Sequence, residues 1–174
     1  MGQPMLNAGG VDNMKTCTKC GELKPLLEFG KHRHSKDGHA YRCKQCAKEH
    51  SKKHRKTPRG IYSALKALQN FHKRKPVVIT KDEFVKWYNE QPRRCHYCGI
   101  HEEDLYLFAE KYHSRYSRLT VDCKDNEAGY VLGNIVLACD KCNITKNNML
   151  TCEEMLYIGK RYIRPKWVKL KPKE

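Results

Sequence analysis

The stretch RLTVDCKDNEAGYVLGNIVLACDKCNITKNN, residues 118–148, decides how the rest of the chain is read. RLTVD at 118–122 alternates apolar and polar side chains, the period of a strand with one buried face. KDNEAGY is rich in turn formers, NIVLA at 134–138 is a second short apolar run, and DKCNITKNN begins a helix. Two strands running into a helix bring Asp122, Asn134 and Asn143 to suggestive places. Taken singly, Asp and Asn near turns close turns and cap helices, so none of the three signals chemistry by itself. Their grouping between two cysteine turns singles them out.

Working outward, eight of the ten cysteines form four CxxC units: Cys17–Cys20, Cys43–Cys46, Cys95–Cys98 and Cys139–Cys142. The first two are separated by 22 residues and the second two by 40. Two CxxC turns supply four thiolates, the tetrahedral donor set of a closed structural zinc site. No basic start followed by an apolar run opens the chain, so paired cysteines point to metal rather than to disulfides. The expectation is two structural Zn²⁺, one per pair of units, supplying folding free energy that a small core lacks. Gly21 follows Cys20, as a tight metal turn favours. His32, His34 and His39 lie between the first pairs but find four thiolates already filling the shell. Cys152, at a predicted helix start, reads as a small apolar side chain.

The formal net charge is +16. Residues 15–75 carry 18 Lys/Arg against 4 Asp/Glu, whereas residues 76–174 carry 17 against 14. A basic block of that density is the footprint of a polyanion binder, and double-stranded DNA is the expected partner. Candidate DNA contacts are Arg42, Lys44, Lys52, Lys53, Arg55, Lys56, Arg59, Lys73, Arg74 and Lys75, with Arg115 and Arg118 near the opening stretch. No apolar run reaches membrane-spanning length, and no basic amphipathic helix rich in Trp and Leu is present, so no membrane partner and an intracellular, cytoplasmic location are expected.

The chain divides into a flexible leader (1–14), a zinc knuckle with a basic segment (15–59), a helical connector (60–94), a ββα module (95–163) and a basic tail (164–174). Ile61, Leu65, Leu68 and Phe71 recur at helical spacing. Thr80 with Glu83 forms a capping box that predicts a helix over 81–90, burying Phe84, Trp87 and Tyr88. Thr151 with Glu154 opens a last helix that turns Met155, Ile158 and Tyr162 inward. The two cysteine units share no similarity beyond their CxxC pairs.

CHYCG at 95–99, LTVD at 119–122, GNIVLAC at 133–139 and CDKCNITKNN at 139–148 together resemble the HNH (ββα-metal, His-Me finger) nucleases with zinc-clamped CxxC pairs. The order of motifs over residues 15–160 also resembles phage HNH homing endonucleases and restriction enzymes of the PacI type. The resemblance implies a small α+β fold, zinc-stabilised, with a ββα-metal centre preceded by a zinc knuckle and short helices. It implies a site-specific DNA endonuclease or nickase, homing- or restriction-like, that hydrolyses phosphodiester bonds with one divalent metal. By the same resemblance Asp122 and Asn143 bind a catalytic Mg²⁺ or Mn²⁺, and Asn134 orients the turn. Oxygen donors of this kind suit those hard cations. Cys123 occupies the place of the general base, normally His, and a thiol with a reference pKa of about 8.5 is a weak stand-in at neutral pH. Tyr97 is a further catalytic candidate. His113, nine residues before Asp122, is a candidate substitute base, as are His96 and His101. Cys123 keeps open an alternative, an HNH-fold DNA-binding protein with impaired catalysis. A zinc-knuckle RNA-binding or transcription protein would not need Asp122, Asn134 and Asn143 in this arrangement. Cutting both strands requires two nicks or a homodimer, and the resemblance favours the homodimer.

Overall fold

Strands β1 (Met14–Thr16) and β2 (Leu23–Pro25) flank the turn carrying Cys17 and Cys20, in a computed structural model that describes residues 13–72, 76–112 and 118–171. Strand β3 (Phe29–Lys31) pairs antiparallel with β4 (His39–Cys43), setting Phe29 opposite Cys43. β4 runs straight into helix α1 (Lys44–His54), which buries no residue. The core of this first unit is Cys17, Phe29 and Cys43 with Cys46 packed on it, so almost no apolar area holds it together. The chain divides into two compact units between Thr57 and Pro58.

The second unit begins with α2 (Pro58–His72), which buries Ile61 and half-buries Leu65. Leu68, expected on the same inward face, is 41 % exposed, and the side chain of Phe71 lies outside the described residues. Helix α3 (Lys81–Glu90) starts at the predicted capping box: Thr80 accepts from the Glu83 amide, and the Glu83 carboxylate accepts from the Thr80 amide at 2.9 Å. Phe84 and Tyr88 are buried and Trp87 half-buried. Phe84 gathers Tyr62, Trp87 and Tyr88 at ring separations of 5.6, 5.6 and 5.9 Å. After the second cysteine turn comes α4 (Tyr106–Tyr112). Strands β5 (Thr120–Cys123) and β6 (Ile135–Ala138) pair antiparallel, with Asp122 opposite Val136 and Cys123 opposite Ile135. Helix α5 (Asp140–Lys146) follows without a loop. This ββα unit is the arrangement predicted from residues 118–148.

Helix α6 (Cys152–Ile158) also starts at its predicted capping box. It continues through one π turn, Gly159–Ile163, into α7 (Arg164–Val168). The predicted tail is therefore helical as far as Val168, with Trp167 buried in the main core. Pro165 sits in the first turn of α7, directly after the π turn. Met155 is fully buried and Ile158 packs against the core, but Tyr162 is 56 % exposed. Gly159 meets the Tyr97 backbone so closely that a Cβ would lie 2.7 Å from its carbonyl carbon and oxygen.

The two cysteine units turn out to share more than CxxC pairs. In the first turn the Cys17 amide donates to Glu22, the Gly21 amide to Cys17 and the Thr18 amide to Tyr41. In the second, Cys95 donates to Ile100, Gly99 to Cys95 and His96 to Leu137, the same positions relative to the cysteines in each case. Gly21 and Gly99 both adopt positive φ, +74° and +77°, open to glycine at little cost. Cys43 and Cys139 both cap a helix, each sulfur accepting from the amide three residues on.

Candidate functional site

Strand alternation sorts the side chains of β5. Thr120 and Asp122 face α5, while Val121 and Cys123 enter the apolar core. Asp122 is only 7 % exposed, and its Oδ2 accepts from the Tyr97 hydroxyl at 2.6 Å. The ammonium of Lys146, fully buried on α5, lies 3.8 Å from the same oxygen. Lys146 also donates to Asn126 Oδ1 at 2.9 Å. A buried carboxylate is tolerated only where such partners offset its lost hydration.

Asn143 stands on the first turn of α5 and donates through Nδ2 to Thr120 Oγ1 at 2.9 Å. Thr120 passes its own proton to the Ala138 carbonyl, which fixes the direction of the pair and points Asn143 Oδ1 the other way. Asn134 staples the turn between β5 and β6. Its Nδ2 donates to the carbonyls of Asp125 and Gly129 at 2.9 and 2.7 Å, and its Oδ1 accepts from the Asp125 amide. The Gly129 end of this turn is pinned in turn by Pro76, whose carbonyl would lie 2.6 Å from a Cβ there.

Tyr97 is 1 % exposed, held by the second cysteine turn. Burial, then the hydrogen bond to Asp122, pushes its phenol well above the usual value, so it acts as a proton donor to the carboxylate. Cys123 is 1 % exposed within the core and presents no thiol beside Asp122 on the strand face toward α5. His96 is exposed, its ring 5.2 Å from that of Tyr97 and its Nε2 3.8 Å from Cys152 Sγ. Desolvation lowers its pKa. His101 precedes a 3₁₀ turn at Glu102–Leu105. His113, Arg115, Lys73, Arg74 and Lys75 lie outside the described residues. Arg42, Lys44, Lys52, Lys53, Arg55, Lys56 and Arg59 are all exposed, and Arg118 is half-buried.

Lys146 and Thr120 are the site residues that sequence reading missed. Their signal was present: Lys146 lies three positions after Asn143 on the helix, and Thr120 two before Asp122 on the strand.

Each cysteine tetrad brings its sulfurs within 4.8 Å of one another, and Cys98 and Cys139 are 3.8 Å apart. Four thiolates around zinc at about 2.3 Å give sulfur–sulfur edges of about 3.8 Å. Cys43 sulfur, then burial, pushes the Cys46 thiol up to about 12, and Cys139 sulfur pushes Cys142 far up. Four sulfurs this close cannot all ionise together unless a cation joins them, so the donor set fits zinc in both units.

Among solved structures, the chain is similar to PacI, a rare-cutting HNH restriction endonuclease studied for its mechanism of DNA perturbation. The two are 26 % identical, with a TM-score of 0.54, over 90 % of this chain and 97 % of PacI. The fold is the HNH endonuclease fold with two cysteine clamps. No family model and no curated protein matches the sequence. In HNH terms β5, β6 and α5 are the ββα unit, and Tyr97 reaches it from the clamp that precedes it. No helix among the described residues is long and apolar enough to cross a membrane.

Proposed function

We propose that this protein is a DNA endonuclease or nickase whose divalent cation, Mg²⁺ or Mn²⁺, is held by Asp122 and Asn143. The observation that carries the proposal is the Asp122 carboxylate, gripped through one oxygen by Tyr97 and Lys146, within a fold similar to PacI along nearly the whole chain. Asp122 and the outward Oδ1 of Asn143 are hard oxygen donors, which fit such a cation better than zinc. A cation bound there supplies Lewis-acid stabilisation of charge on the scissile phosphate.

The remaining work belongs to the chain's own residues. Tyr97 and Lys146 position Asp122; Thr120 orients Asn143; Asn134 holds the β5–β6 turn. In this reading Cys123, packed in the core, does not serve as the general base. An imidazole takes that role, with His113 and His96 as candidates. Basic residues of the first unit grip the duplex backbone. Cutting both strands uses a homodimer or two successive nicks.

The test is conversion of supercoiled DNA, including DNA from the native context, to nicked and linear forms in Mg²⁺ and Mn²⁺. The unaltered protein should cut, Asp122→Ala should fall to background, and Cys123→Ser should cut at close to the native rate. Cutting by Cys123→His alone would show that the native chain is a silenced nuclease. Binding without cutting by every form would leave an HNH-fold DNA-binding protein and end the enzyme reading.

A further inference from the structure

A second basic feature lies beside the Tyr97 turn. A cavity of about 250 Å³ is lined by Gln91, Arg94, His96, Tyr97, Lys160 and Arg164, with Val136 and Leu137 among its apolar lining. No Asp or Glu lines it; Cys95 and Cys98 of the second cysteine tetrad also line it, with their sulfurs committed to zinc when the tetrad is loaded. Arg94, Lys160 and Arg164 are exposed, and among the described residues none of them forms an ion pair. Three other cations of this unit pair with carboxylates, Arg93 with Glu102, Lys171 with Asp104 and Lys146 with Asp122, and none of these lines the cavity. Three cations without a carboxylate partner around one hollow leave their donors open to an anion from solvent.

We propose that this cavity is a subsite for a non-scissile phosphate of the DNA backbone, a proposal that rests on the nuclease reading. Two guanidinium forks and an ammonium match the donor pattern of a phosphodiester. The volume is below the 300–1,000 Å³ or so of pockets that enclose whole small-molecule ligands. It therefore suits a phosphate and adjoining sugar, with the bases left outside. Tyr97 lines the cavity with one part and bonds Asp122 with its hydroxyl. A phosphate fixed here thus sets the path of the strand relative to the carboxylate. Contacts of this type give register rather than sequence preference.

The experiment compares the zinc-replete full chain with Arg94→Gln/Lys160→Gln/Arg164→Gln. A charge-matched control, Lys81→Gln/Lys86→Gln/Lys169→Gln, removes three cations outside the cavity. Duplex binding is measured by fluorescence anisotropy over a salt series without added Mg²⁺ or Mn²⁺. The cavity variant should weaken binding alike for unrelated sequences and flatten the salt slope by about 1, one lost phosphate contact. The control should leave that slope within error of the native protein. Equal slope changes in both variants would overturn the subsite in favour of a diffuse field. A native protein that cuts DNA while the cavity variant keeps its full slope would overturn the subsite and spare the nuclease reading. A second arm follows the His96 imidazole resonances by NMR during titration with inorganic phosphate. If the native protein binds no duplex, the nuclease reading fails and this arm decides the anion site: saturable shifts lost in the cavity variant support it, and no shift overturns it. Shifts with inorganic phosphate beside an unchanged duplex slope would make it a free-anion site and overturn the backbone assignment.

Discussion

Lys146 shows what a single buried charge does for this site. Its ammonium is fully buried and would be costly to bury alone, but it faces Asp122 and Asn126. Removing one member of such a pair strands the other. Lys146→Met is expected to destabilise the second unit by about 3–5 kcal/mol, measured by urea unfolding of zinc-replete protein. Asp122→Asn in the same chain should recover part of that loss, a coupling that a double-mutant cycle reads directly. On the catalytic side, a partner that orients a metal ligand is typically worth about 10–100-fold in metal affinity or activity. Tyr97→Phe and Thr120→Val should therefore raise the Mg²⁺ concentration needed for half-maximal cleavage by about that factor, with zinc content unchanged. Asp122 and Asn143 stood out in the sequence because acid and amide at the ends of a ββα pattern are legible by position. Lys146 did not, because a lysine in a polar helix reads as solvated until its surroundings are seen.

At the level of elements, both capping boxes were legible in four-residue words. Thr151→Ala should cost about 1 kcal/mol, visible as a lowered urea midpoint. The Thr151 backbone amide, then its hydroxyl, hold the Glu154 carboxyl below its ordinary value. A depressed acid contributes stability above its unfolded pKa of about 4.3, lost as pH falls through the folded value. Glu154→Gln should accordingly flatten the acid limb of the stability–pH curve, followed by circular dichroism from pH 6 downward. The π turn at Gly159–Ile163 could not be read from periodicity. One extra residue in a turn rotates everything after it by roughly 100°, which carries Tyr162 outward. For the same reason Trp167, bracketed by basic residues and a proline, looked like tail and is core.

At the scale of the molecule, the first unit depends on sulfur more than on apolar burial, and the second joins a cysteine clamp to an apolar core. Zinc analysis should return two ions per chain. Cys95→Ser should abolish cleavage together with the fold of the second unit. Cys17→Ser should unfold the first unit, with cleavage failing through lost DNA affinity while the near-ultraviolet dichroism of the Trp-bearing second unit persists. The concentration of basic residues before residue 76 was visible in the composition. The repeated geometry of the two cysteine turns was not, because it resides in backbone hydrogen bonds at matching positions relative to the cysteines, with different side chains hung on them.

The crowding of Gly159 against Tyr97 makes the last helical segment a gauge for the chemistry. A methyl group there has nowhere to go but into the main chain that carries the phenol. Gly159→Ala should leave the cysteine clamps loaded and the duplex bound, yet shift the hydroxyl off its carboxylate and slow cutting. Chain length between the capping threonine and that glycine thus sets how closely the helix presses on the main chain of Tyr97.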